Sequence, residues 1–89
     1  MKLIYEFDYM DMGEGIVGVP VGKNAEHFNG VLNLNESAVE MLKAISSSTT
    51  PEEAHKKLVA AHPEDDPNEI GQLLCDFLNQ LIRERLLIP

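Results

Sequence analysis

The hydrophobic period of this chain changes once, at Asn35, and that change limits the folds open to it. Before Asn35 the apolar side chains alternate. Leu3, Tyr5, Phe7 and Tyr9 are interleaved with Lys2, Glu6 and Asp8, with Ile4 out of phase, so the segment predicts a strand with one buried face. The turn residues Asp11-Met12-Gly13-Glu14-Gly15 come next. Ile16-Val17-Gly18-Val19-Pro20-Val21 is then a β-branched run that predicts a second strand returning as a hairpin. Pro20 has no N–H to give a ladder and belongs at an outer edge or at the strand's exit. A polar connector, residues 22–27, leads to a third short strand over Val31, Leu32, Asn33 and Leu34.

After Asn35 the period is helical. Ala38, Met41, Leu42 and Ile45 fall on one face, with Glu36, Glu40 and Lys43 on the other. Asn35 itself suits an N-cap, because its side-chain oxygen can accept from an orphan N–H of the first turn. Thr50-Pro51-Glu52-Glu53 combines a capping threonine, a proline at the first helical position and a glutamate in the capping-box position. Ala54, Leu58 and Ala61 give that second helix a narrow apolar face, which His62-Pro63 ends. Asp66-Pro67-Asn68-Glu69 repeats the start signal, and the stripe Ile70, Leu73, Leu74, Phe77, Leu78, Leu81 and Ile82 predicts a long third helix. The expected fold is therefore α+β, a single winged-helix-like domain over residues 1–89, with a three-stranded antiparallel β region followed by three α-helices.

Size and charge exclude several functions. With 89 residues the chain has a modest core, since a domain of this size buries only roughly 60% of its unfolded surface, so a deep enclosed active site is not expected. Fifteen acidic residues against seven Lys and Arg give a net charge of -8, which repels nucleic acid and anionic membranes. The single cysteine rules out an internal disulfide, charges at Glu6 and Asp8 break any signal-peptide core, and no apolar run approaches membrane-spanning length. These features place the protein in the cytoplasm.

No catalytic or cofactor-binding constellation emerges. Gly13-Glu14-Gly15-Ile16-Val17-Gly18 spells G-x-G-x-x-G, but that fingerprint needs a helix to start inside it, whereas Ile16, Val17, Val19 and Val21 demand an extended chain. It reads as a turn plus strand. His27, His55, His62 and Cys75 lack metal-ligand spacing and read as surface histidines and a packed thiol. Cys75 next to Asp76 has the wrong neighbouring charge for a nucleophile. Asp8, Asp11 and Glu14 lack the order of a calcium loop and solvate a turn. No cofactor and no metal are expected. A winged-helix DNA-binding regulator is the alternative, but Gln72, Asn79, Gln80, Arg83 and Arg85 of the third helix are offset by Glu69, Asp76 and Glu84. A carrier protein modified at Ser37 is a further reading; such chains are helical from their start, unlike this one.

The block VPVGKNAEHFNGVLNLNESAVEML, followed by a threonine-started helix and a long helix ending in FLNQLIRERLLI, resembles the PqqD-like family, the coenzyme PQQ synthesis protein D group, also called RiPP recognition elements. The resemblance runs from about residue 16 to the C-terminus. Two departures stand out: Glu40 and Leu42 replace aromatic residues of the first helix, and Arg85 replaces a glycine, which makes a left-handed helix cap less favoured. The resemblance implies a domain without catalysis that binds the leader segment of a ribosomally made precursor peptide and presents it to a modifying enzyme, commonly a radical SAM enzyme. It places the peptide as a strand beside Val31, Leu32, Asn33 and Leu34, packed on the third helix between Ile70 and Leu81. An open strand edge suits this role on physical grounds, because its unpaired N–H and C=O groups can accept an extended peptide. Leu73, Leu74, Phe77 and Leu78 are the helix positions expected to line the groove. On periodicity alone residues 31–34 read as ordinary core sheet, with the wide stripe filling a three-helix interior; the resemblance favours the peptide site instead.

Overall fold

The computed structural model describes residues 1–22, 25 and 30–89. His27 and most of the connector before the third strand lie outside the described residues. In chain order the elements are β1 (Lys2–Leu3), β2 (Glu6–Asp11), β3 (Ile16–Val21), β4 (Leu32–Leu34), α1 (Glu36–Ser46), α2 (Pro51–Ala61), α3 (Pro67–Arg83) and β5 (Leu87–Ile88). The antiparallel sheet β2-β3-β4 followed by three helices is the α+β arrangement expected.

Local chemistry accounts for the element starts. The hairpin closes through Met12 N donating to Gly15 O at 2.8 Å, with Gly13 at φ 84° and its N–H donating to Asp11 Oδ1 at 2.9 Å. Asn35 Oδ1 accepts from Ala38 N at 2.8 Å, Thr50 Oγ1 from Glu53 N at 3.2 Å, and Asp66 Oδ1 from Asn68 N at 2.9 Å. Each of the three helices thus begins at the cap that its sequence advertises. The strand, not a helix, begins at Ile16, so the glycine motif is a turn plus strand. Pro20 lies opposite Phe7 in the half of β3 that β4, which reaches only Ile16 to Gly18, leaves uncovered.

Four features differ from the sequence expectation. The first strand is broken at Ile4 and Tyr5: Ile4 N donates to Leu86 O at 2.9 Å, and β1 leaves the main sheet to pair with β5. The out-of-phase Ile4 marks this change of partner. Ala61 is exposed, because α2 is held to the core through Ala54 and Leu58 and its last turn runs clear of it. Cys75 is an exposed thiol and not a packed one, since position 75 turns away from the stripe that buries Leu74 and Leu81. Arg85 adopts the left-handed conformation, φ 61°, in a full helix cap in which Leu86 N donates to Leu81 O at 2.8 Å and Arg85 N to Ile82 O at 3.0 Å.

That cap forms without glycine because the chain reversal carries Leu86 and Leu87 into the core, at 3% and 4% exposure, and β5 onto β1. Packing overrides an unfavourable backbone. Arg85→Gly should therefore stabilise the fold by about 0.5–1 kcal/mol, the left-handed penalty relieved less the extra entropy of a glycine. By thermal melting this is a rise of roughly 2–8 °C, and an unchanged or lower midpoint would show that Arg85 carries a compensating contact.

The core is Leu42, Ala44, Ile45, Ala54, Leu58, Leu74, Leu81, Leu86 and Leu87, with Leu32 and Leu34 of β4 packed against it from the sheet side. Gly18, buried in β3, leaves the space that those two side chains use. A Cβ there would lie 3.1 Å from Leu34 Cδ1, 3.6 Å from Leu32 Cβ and 3.7 Å from Phe7 Cδ1.

Candidate functional site

β4 is the last strand of its sheet. Its register with β3 pairs Ile16 with Leu34, Val17 with Asn33 and Gly18 with Leu32, and among the described residues no strand pairs its outer edge. The strand period turns Leu32 and Leu34 inward and leaves Asn33 exposed. Val31, just before the strand, is 48% exposed. Asn35 ends the strand and caps α1 in one step, so the edge is fixed directly to the helical layer.

Beside this edge lies a groove of about 640 Å³. Val31, Leu32, Asn33 and Leu34 form one side, and Leu73, Phe77, Gln80, Leu81 and Glu84 of α3 and its C-cap the other. Between them α1 contributes Ser37, Ala38 and Met41. Among the described residues Glu84 is the one charged side chain in this lining. Leu73 is 60% exposed on α3, beside the half-buried Phe77. The groove is thus a trough of mixed polarity, with strand backbone along one wall, apolar Leu73, Phe77 and Met41 across from it and, among the described residues, no basic group on it.

The structure brings Val31, Leu32, Asn33, Leu34, Leu73 and Phe77 together in this groove. It places Leu74 in the core at 3% exposure and Leu78 half-buried against that core, so neither is among the groove's lining residues. Of the two flanks of the α3 stripe, 73 and 77 meet the sheet edge, while 74, 78 and 81 turn inward, with Leu81 reaching both. Ala38 and Met41 of α1 were not singled out as site residues. Their position on the apolar face, one turn before the buried Leu42 and Ile45, was the available signal.

The remaining polar groups have structural occupations. His55 Nε2 lies 2.8 Å from Pro67 O, tying α2 to the start of α3. Cys75 Sγ is 3.8 Å from Asn79 Nδ2 on the exposed face of α3. His62, the C-cap of α2, bonds Glu40 Oε2 of α1 through Nε2 at 2.5 Å, with Asp65 Oδ2 3.7 Å from Nδ1. His62, Glu64 and Asp65 could bring donor atoms within 4.8 Å of one another, but both ring nitrogens of His62 already face carboxylates.

The hydrogen bond that His62 donates to Glu40, and then the charge of Glu40, hold the His62 pKa above the ordinary histidine value. A raised folded-state pKa gives stability that is complete below the unfolded value and is lost as pH rises through the folded one. Wild-type protein should therefore lose a small increment of melting temperature from mildly acid to mildly alkaline pH, and Glu40→Gln should remove that step and lower the His62 midpoint in an NMR titration. An unchanged midpoint in Glu40→Gln would show that the pair does not form in solution.

Among the described residues no helix is long and apolar enough to cross a membrane. No curated protein matches the chain. Among solved structures the fold is similar to "TbiB1 in Complex with the TbiA(beta) Leader Peptide", with a TM-score of 0.68 at 17% identity, covering 97% of this chain and 93% of that one. At that identity the likeness is one of fold. Residues 17–87, which take in β3 after its first residue, β4, all three helices and the start of β5, match the family described as "Coenzyme PQQ synthesis protein D (PqqD)". The α+β frame, the β4 edge beside α3 and this match over most of the chain agree, and the protein belongs to the PqqD family.

Proposed function

We propose that this chain is a non-catalytic adaptor that binds the leader segment of a ribosomally made precursor peptide as an added strand on the outer edge of β4. It then presents that peptide to a modifying enzyme of radical SAM type, in PQQ or a related peptide biosynthesis. The observation that carries the reading is the open β4 edge facing Leu73 and Phe77 of α3 across a groove. Membership of the PqqD family supports it, as does the likeness in fold to a protein solved with a leader peptide.

The energetics require both walls of the groove. About four backbone hydrogen bonds at roughly 0.5–1.5 kcal/mol each supply about 2–6 kcal/mol. A micromolar complex needs about 8 kcal/mol, and ordering the peptide costs about 2–5 kcal/mol more. Apolar anchors against Leu73, Phe77 and Met41 must supply the difference.

Amide NMR during titration with the leader of the precursor encoded beside this chain is the direct test. Resonances of residues 31–34 and of α3 around Leu73, Phe77 and Gln80 should shift together and saturate. No shift at saturating peptide would sink the proposal, and shifts confined to β2 would place the peptide on the wrong edge.

A further inference from the structure

The groove continues past Leu73. A second, smaller cavity of about 120 Å³ opens among the three helices, and Ser37, Met41 and Leu73 line both. Leu58 and Ile70 complete its apolar wall, and Glu40, His62 and Asp65 supply the polar part. Those three side chains are 47%, 34% and 56% exposed, so they stand at the solvent side. A cavity of roughly 150 Å³ lined by aliphatic groups admits benzene, so this one has room for a single leucine-sized side chain.

We propose that this cavity is a second recognition site for the same peptide, taking one aliphatic side chain from the segment just outside the β4-paired stretch, with an adjacent Lys or Arg paired to Asp65. It rests on the reading of the β4 groove as a peptide site. The spacing follows from α3: from Phe77 to Ile70 is about 10 Å along a helix axis, which about three residues of extended chain span. A peptide that runs on along α3 from the groove therefore meets the small cavity, which shares Ser37, Met41 and Leu73 with it.

Charge selects the flanking residue. Glu40 and Asp65 line the small cavity and Glu84 the groove, while no Lys or Arg among the described residues lines either. An acidic flank would meet like charge. Glu40 is engaged by His62 at 2.5 Å, whereas Asp65 lies 3.7 Å from the same ring and is the most exposed of the group, so it is the carboxylate open to a cation.

The test uses a random-peptide display library selected on the wild-type protein, with the selected sequences synthesised and measured by fluorescence anisotropy. They should share an aliphatic residue about three positions beyond the strand-forming stretch, next to Lys or Arg. Replacing that residue with Ala should weaken binding to wild type about tenfold or more, the worth of a buried aliphatic side chain, but less than about twofold to Ile70→Trp, whose indole fills the cavity. Asp65→Lys, at a half-exposed position that folding tolerates, should weaken the parent peptide about fivefold and favour a Glu-flanked version. It carries the test alone if Ile70→Trp does not fold. Equal Ala penalties on wild type and Ile70→Trp, or no effect of Asp65→Lys, would overturn the inference. If Val31→Lys still abolishes binding in that case, the β4 groove reading stands; peptides that ignore Val31→Lys as well overturn both.

Discussion

Leu73→Gln is expected to weaken leader-peptide binding about tenfold to a hundredfold while leaving the melting temperature within about 4 °C of wild type. The binding loss is the roughly 1.5–3 kcal/mol that a leucine side chain contributes when a ligand buries it, converted at about 1.4 kcal/mol per tenfold. The small effect on stability follows from position: Leu73 is 60% exposed on α3, and surface substitutions usually stay within about 0.5 kcal/mol. Glutamine keeps helix propensity and adds no charge, so the change isolates the lost apolar contact. Calorimetric titration alongside thermal melting separates the two quantities. Full affinity in Leu73→Gln would remove α3 from the site, and a large fall in melting temperature would show that Leu73 supports the core instead.

Gly18→Val should cost about 1–3 kcal/mol, the usual range for overpacking, and lower the melting temperature by roughly 4–24 °C. The cause is specific. The added Cβ alone would lie 3.1 Å from Leu34 Cδ1, tighter than ordinary contact, and two γ-methyls would press further on Leu32 and Phe7. Leu32 and Leu34 are the side chains by which β4 is anchored to the core, so its open edge should move as β4 yields. A second change, Gly18→Val with Leu34→Ala, opens the space again and should recover part of the loss by the coupling expected of residues in contact. If the double variant is destabilised by the plain sum of its parts, the glycine is there for another reason.

The two experiments address different parts of one device. Gly18 determines whether β4 lies flat on its neighbours, and Leu73 determines what stands across from it. On the proposed reading, a peptide adding to β4 would meet an edge whose height is set inside the sheet and a wall supplied by α3.

Much of this architecture could be read from residues near each other in the chain. Asn35, Thr50 and Asp66 are caps because a short polar side chain reaches an N–H two or three residues on, and Pro51 and Pro67 reinforce two of the starts. The alternation of Phe7 and Tyr9 with Asp8, and of Leu32 and Leu34 with Asn33, announced which face of each strand is buried. Those are effects of neighbours, and neighbours are what a sequence displays.

The α3 stripe marks the limit of that kind of reading. Leu73, Leu74, Phe77 and Leu78 are equivalent by period, which identifies an apolar face but not what each flank of it touches. Only the packing of α3 against α1 and α2 turned 74 into the core and 78 toward it, and left 73 and 77 beside the open edge. The same is true of β1 and β5, two-residue strands too short to carry a period, and of Arg85, whose left-handed backbone is held by the burial of Leu86 and Leu87. Local sequence set the three strands of the main sheet, the three helices and their caps, because hydrogen bonds and periodicity act over a few residues. Tertiary structure decided which strand edge stays open, which leucines face it and where the groove continues, because those depend on surfaces brought together from distant parts of the chain.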